Sequence, residues 1–248
     1  MLTQLIIALF LVFSSQPQTD LKELLPGIYV AQGVVEFEGS IAIDCHHPDT
    51  PDVFLEMLVT APDSREHESL VVSSIKPSAL HAALLAAGFE PGNPISRDQT
   101  GKHVPASGDR VSVLVMLPPP VESTLSDSEL GPSFIAIETW VMKIESEEGL
   151  LESQDWEGLV FAGSKLNVNG YAADRGGTLI SLTSFGDEVI APTWTITSQA
   201  DIDEPVWIAN REVVPKQGTP VRIRIELIDD DQALESHQPD RIDIDRDP

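Results

Sequence analysis

Cysteine is almost missing from this chain: Cys45 is the single one in 248 residues. One thiol cannot form an intramolecular disulfide, and it cannot supply a cysteine-ligated iron–sulfur cluster or a Cys-rich zinc site. Basic residues are scarce as well, 15 Lys and Arg against 40 Asp and Glu, for a formal net charge of -25. That excess repels phosphate backbones and anionic headgroups, so nucleic acid is not an expected partner. The acidity itself reads as a solubility feature. No apolar run reaches the ~20 residues that a membrane-spanning helix needs, so no transmembrane span is expected in the mature chain.

The usual catalytic signatures are also lacking. There is no phosphate loop and no dinucleotide fingerprint. His67-Glu68 does not extend to H-E-x-x-H, because position 71 is Val. Gly163-Ser164 lacks the flanking glycine of a nucleophile elbow. Ser73-Ser74-Ile75-Lys76 spells S-x-x-K, but Pro77 follows the lysine, so the helix begins after the motif and the geometry fails.

What is present begins with nine apolar residues, Leu5 to Phe13, followed by small and polar ones. The run is too short to span a bilayer but fits a signal-peptide core, with Val12 and Ser14 suited to a cleavage site after residue 14. Export to the periplasm or the exterior is therefore expected. Residues 15–26 read as a linker, 27–228 as a single domain, and the acid-rich stretch 229–248 as a disordered tail that cannot bury enough apolar surface to order itself.

Within the domain, IYVAQGVVEFEGSIAI (28–43) reads as a hairpin broken at Glu38-Gly39-Ser40. VFLEMLVTA (53–61), SLVVS (69–73) and FIAIETWVMKIE (134–145) have strand character, and 159–166 with 178–184 reads as a strand pair. Arg110–Leu117 and 220–228 alternate apolar and polar residues, as half-buried strands do. One helix is expected over 77–87: Pro77 fits its first turn, Gly88 its C′ position, and Leu80, Ala83, Leu84 and Ala87 make one apolar stripe. Ser184-Phe185-Gly186-Asp187 resembles the capped start of a short helix through Val189. The fold class predicted is α+β, mainly β: an antiparallel or mixed sheet with one amphipathic helix packed on it.

The candidate site residues are few. Glu66-His67-Glu68 carries metal-ligand chemistry, and His81 could add a second nitrogen from the helix. If 66–72 is a strand, however, Glu66 and Glu68 point one way and His67 the other. The plainer reading is a histidine hydrogen-bonded at a strand start. His67, Glu68 and His81 are the leading candidates. Lys165, Asn167, Tyr171 and Asp174 are weaker ones, as the rim of a groove if one exists. Asp44, His46 and His47 lie in a loop whose Asp and Pro content suits an ordinary turn.

Several phrases together resemble the YdjY domain, a family of exported bacterial proteins. They are REHESLVV and SIKPSALHAALLAAGFEPGNP (65–94), GDRVSVLV (108–115), VFAGS (160–164), Tyr171 with Ala173-Asp174, GTLISLTSFGDEVI (177–190) and GTPVRIRIEL (218–227). They cover about 53–228; the 118–132 connection looks longer than usual, and Trp156 stands upstream of the place where the family carries a tryptophan before VFxGS. The resemblance implies a shared fold and a cell-envelope location. The family has no established activity, so it carries over no catalytic residues. The expected function is a non-catalytic envelope module that binds a partner protein, a small ligand or a cell-wall component, without a cofactor. The alternative is a divalent-metal protein or enzyme centred on His67 and His81.

Overall fold

A computed structural model describes residues 20–48, 52–118, 133–144, 148–154, 156–193 and 207–228. The signal-peptide reading, the 229–248 tail and nearly all of the 118–132 connection lie outside the described residues. The strands that matter are β1 (Lys22–Leu25), β2 (Ile28–Ala31), β3 (Val34–Ile41), β4 (Met57–Thr60), β5 (Ser69–Val72), β6 (Arg110–Met116), β7 (Phe134–Ala136), β8 (Leu159–Phe161), β9 (Leu166–Asn167), β10 (Gly170–Tyr171), β11 (Thr178–Ser181), β12 (Ile190–Pro192) and β13 (Pro220–Leu227). The helices are α1 (Pro77–Ala86) and the short α2 (Ala172–Gly176).

Eight of these strands form a closed ring in the order β3, β13, β6, β8, β12, β11, β4, β5 and back to β3. This overturns the expected sheet with an amphipathic helix packed on it: the fold is a β-barrel. All neighbours are antiparallel except β4–β5 and β11–β12, which are parallel. β1 and β2 extend the sheet from one edge of β3, and β7 pairs with β6. Residues 22–25, expected in a linker, are thus already part of the sheet.

The ring closes where the last residues of β3, Ser40 and Ile41, pair with Val72 and Val71 of β5. Gly39 makes this possible. A Cβ there would stand 2.6 Å from Val71 Cγ1 and 3.0 Å from the Val72 carbonyl oxygen. The glycine expected to turn a hairpin instead lies inside one continuous strand, serving a close backbone approach. The actual turn comes earlier, at Gln32-Gly33, with Gly33 at φ 68°.

Strands β6 and β13 alternate as predicted, sending Val111, Val113, Val115, Val221, Ile223 and Ile225 into the core. On the outer face of β13, Arg224 donates to the buried Glu36 of β3 at 2.6 Å and lies over the Phe134 ring. β4, β11 and β12, by contrast, are buried along their whole length. A strand covered on both faces shows no period-two signal, and the near-continuous apolar run LEMLV carries none.

α1 keeps its predicted start at Pro77 and ends before Gly88, at φ 93°. It carries no charged residue, and Leu85 and Ala86 on its outer side are exposed, so it is apolar nearly all round rather than amphipathic. It packs against β1, β2 and β3 and also against α2 and β11, and its His81 meets Phe161 of β8. β3, β8 and β11 are not neighbours in the ring, so α1 crosses an end of the barrel instead of lying along a sheet face. The expected helix at 184–189 is a loop, and β12 separates the two strands predicted to pair directly.

Gly39→Ala is expected to destabilise the protein by about 1–3 kcal/mol, the cost of forcing a methyl against backbone in a packed site. Urea denaturation would measure it against Gly149→Ala, where the added methyl meets only the Glu152 carboxylate at 3.9 Å.

Candidate functional site

Both parallel pairs are joined by crossovers of only eight residues, 61–68 between β4 and β5 and 182–189 between β11 and β12. Parallel strands usually need a dozen or more residues for this connection, so both loops are tightly braced. In the first, the Glu66 carboxylate accepts the N–H groups of Asp63 (2.5 Å) and Ser64 (2.9 Å), and Asp63 takes a left-handed φ of 58°. The Glu66 backbone N–H, joined by those of Asp63 and Ser64, holds the Glu66 carboxyl below its ordinary range. Ser64 Oγ lies 2.7 Å from Thr60 Oγ1, and its room depends on Gly177, where a Cβ would come within 2.3 Å of it.

In the second crossover, the backbone N–H groups of Leu182 and Thr183 donate to the Glu56 carbonyl. Thr178 Oγ1 donates to Asp187 Oδ1 at 3.2 Å. Glu188 is fully buried; one carboxyl oxygen accepts the Asp187 N–H at 2.8 Å, and the other has no partner among the described residues. Burial raises the Glu188 carboxyl above its ordinary value.

The two crossovers meet at Arg65. Its Nη1 donates to Glu56 Oε2 at 2.9 Å and lies 3.9 Å from Glu68 Oε2. Its guanidinium carbon sits 4.0 Å from the centre of the Phe185 ring, a stacked cation–π contact. Burial, a hydrogen bond to Glu68 and the Glu68 charge push the Glu56 carboxyl up to about 7, against the opposing pull of Arg65. Residues 66–68 form a single 3-10 turn, and the strand begins only at Ser69, so the strand-face reasoning for Glu66, His67 and Glu68 does not apply. His67 is 75% exposed, its Nε2 3.2 Å from Glu68 Oε1.

Next to the crossovers, turn 162–165 places Gly163 at φ 84° and Ser164 at φ 55°. A Cβ on Gly163 would strike Pro91 Cβ at 2.9 Å and approach the His81 ring at 3.3 Å. Ser164 Oγ donates to the Asp187 carbonyl and accepts the Ala173 N–H at 3.2 Å, stitching three loops. Tyr171 donates its hydroxyl to the Gly163 carbonyl at 3.0 Å and lies 2.8 Å from His81 Nδ1. With the phenolic proton so used, His81 Nδ1–H is the donor to the tyrosine and Nε2 carries the lone pair. Burial lowers the pKa of His81, with the Gly163 carbonyl opposing, and raises that of Tyr171.

Asp174 has a different task. α1 begins at Lys76 without a side-chain cap of its own, and Asp174 Oδ1 accepts the Ser78 N–H at 2.7 Å. A carboxylate at a helix N-terminus satisfies an orphan donor and complements the helix dipole. Lys165 is exposed, its Nζ 3.5 Å from the Ile95 carbonyl, and Asn167 Oδ1 accepts the Asn169 N–H in the β9–β10 turn.

The structure therefore brings His81, Tyr171, Lys165 and Asp174 into one region and gives His67 separate company with Glu68. Among the described residues, no three His, Cys, Asp or Glu side chains group so as to hold a metal. In the early loop, His46 Nε2 donates to the Val214 carbonyl at 2.7 Å and Asp44 accepts the His46 N–H, an ordinary turn. Cys45 is buried, which raises its thiol pKa. A separate open depression of about 320 Å³ lies over β3 and β13. Among the described residues, its polar lining is Glu38 and Arg222, with no His, Cys, Ser or Thr.

A family model of the YdjY domain matches residues 30–226. The chain belongs to the YdjY domain family. The YdjY match begins well before residue 53, so it includes β3 and the Asp44–His47 loop, both of which the phrase-by-phrase resemblance left outside. No curated protein and no solved structure matches the chain. Within the YdjY domain, REHE, GS, YAAD and SFGDE, far apart in sequence, come together around the two crossovers. Sequence reasoning missed Glu56, Phe185, Asp187 and Arg175 there. The signal available was SFGDE itself, which was read as a helix start although it carries an aromatic and two acids.

Asp174→Ala is expected to cost about 1 kcal/mol by uncapping α1, while Asp174→Asn keeps most of that stability; thermal or urea denaturation of the pair would measure it. Glu56 and the buried Glu138 are both pushed up to about 7. A carboxyl whose folded value is raised adds stability at low pH and loses it as pH rises through that value. Stability should therefore fall from about pH 5 to about pH 8, and Glu56→Gln should flatten part of that fall in denaturation midpoints.

Proposed function

We propose that this YdjY domain is an exported cell-envelope protein that works as a binding module, with the crossover face as its interaction surface. The observation that carries the reading is the division of labour around Arg65. His81, Tyr171, Ser164 and Asp174, the groups with the most chemical potential, are hydrogen-bonded into the scaffold. Arg65, Phe185 and His67 reach the surface on rigid loops, with Arg65 fixed by Glu56 beneath it. A stacked, hydrogen-bonded arginine beside an aromatic ring is the kind of preordered anchor that binding interfaces concentrate their energy on. Export is supported by the apolar run Leu5 to Phe13 and the small residues after it.

The full chain expressed in its native cells should appear in the envelope or medium with Ser15 as its first residue, read by N-terminal sequencing. A photo-crosslinking residue at position 67 should give adducts by mass spectrometry that Arg65→Ala/Phe185→Ala abolishes, while one at the exposed Val213 should give none. Cytoplasmic retention would overturn the export reading, and equal adduct yields at 67 and 213 would overturn the surface.

A further inference from the structure

We propose that Asn169 is a modification site, where the side-chain amide is lost through a succinimide formed with Gly170 and is replaced by aspartate and isoaspartate. The inference rests on the β9–β10 hairpin alone and goes beyond the reading of the crossover face as an interaction surface. The asparagines of the chain are Asn93, Asn167, Asn169 and Asn210, and glycine follows only Asn169. The chemistry needs the backbone nitrogen of the next residue to reach the asparagine Cγ. Pro94 after Asn93 has no N–H to lose, Val168 after Asn167 is branched at Cβ, and Arg211 after Asn210 carries a long side chain. Gly170 has no side chain, sits at φ 97°, and has nothing within 4 Å of the place a Cβ would take.

The structure singles out the same residue. Asn167 Oδ1 accepts the Asn169 N–H at 2.9 Å and Asn210 Oδ1 accepts the Glu212 N–H at 3.2 Å, so both of those side chains are held. The Asn169 side chain makes no hydrogen bond among the described residues. Residues 165–170 are all exposed, Leu166 at 82% and Val168 at 101%, so no packing holds the tip. Two residue pairs, Leu166 with Tyr171 and Asn167 with Gly170, join the strands, and this small sheet stands apart from the barrel. A two-stranded hairpin without a buried face is marginal in water, so the tip opens readily and frees the Gly170 N–H. Its base stays pinned, with the Ala172 N–H donating to the Lys165 carbonyl at 2.8 Å.

In the reaction the Gly170 nitrogen gives its proton to a solvent base and bonds to Asn169 Cγ. The Cγ–Nδ2 bond breaks, and the amide nitrogen takes up a proton and leaves as ammonia. Water then adds to one of the two ring carbonyls and opens the succinimide, to aspartate or to isoaspartate according to which carbonyl is attacked. One ammonia is exchanged for one water, and nothing is oxidised or reduced. The product places a carboxylate within Gly158 to Ala173, a stretch that has no acid and whose single cation is Lys165. Isoaspartate also adds a methylene to the backbone of the turn between Asn167 and Gly170. Both changes fall beside the face proposed for binding, so the age of the molecule would be written into that surface.

The test is incubation of the purified full chain at mildly alkaline pH, followed over time by peptide mapping with mass spectrometry. Conversion at Asn169 should run at least about tenfold faster than at Asn167 or Asn210. Isoaspartate should appear among the products, and samples quenched in acid should show the succinimide as a loss of ammonia. The rate should rise with pH, because the attacking nitrogen must first lose its proton. Gly170→Ala should slow the conversion at least about tenfold, since a Cβ obstructs the approach. Equal rates at Asn169 and Asn167, aspartate formed without isoaspartate, or an unchanged rate in Gly170→Ala would overturn the proposal. The comparison with Asn167 is made within the wild-type chain, so it decides the matter even if Gly170→Ala is ill-folded.

Discussion

Everything in this fold depends on one close approach, Val71 and Val72 against Gly39. Without a side chain at that point, the edge of β3 can accept β5, and a sheet that would otherwise end in two open edges becomes a ring. Closure pairs the β5 edge, which would otherwise expose unpaired backbone groups, the liability of a free edge. Within the ring, β4 and β5, and β11 and β12, run parallel with little chain to connect them. The crossovers sit between strands of the ring and carry the surface residues of the site.

A second constraint acts on those crossovers. Eight residues leave no slack, so polar side chains take over the work of longer connections: Glu66 folds one loop back on itself, Ser164 and Thr178 tie the other to its neighbours, and Asp174 supplies the cap α1 lacks. Much of what looks like chemistry in the sequence is consumed in this way. A histidine beside a tyrosine is, here, a brace between a helix and a turn, fixed in one tautomer by the phenol's commitment to Gly163.

What could be read from the sequence was whatever depends on local pattern. β13 and β6 show their period of two because one face is wet, and α1 announces itself through Pro77 and Gly88. What could not be read depends on pairing across long separations. Gly39 looks like a turn residue because a glycine between polar neighbours usually is one; only the position of Val71 shows otherwise. Likewise 182–189 has a capped-helix start, but both its ends are held by strands in register, and the ladder overrides the local preference. His81 and Tyr171 were each singled out, but their contact spans 90 residues. Arg65 meets Phe185 across a similar gulf, and no spacing rule links them.

The place of β13 in the ring has a consequence for how the chain acquires its shape. This strand, at 220–227, stands between β3 and β6, pairing with Val34–Ser40 on one side and Val111–Met116 on the other. The walls built early in synthesis therefore stay apart until the far end of the domain arrives to be inserted between them. Contacts of such high sequence separation form late and slowly, because the entropy of closing a very long loop comes before any reward. Until residue 227 is free, β3 and β6 expose unpaired edges, so a truncated or stalled chain is an aggregation hazard, and the finished barrel is locked by its last strand.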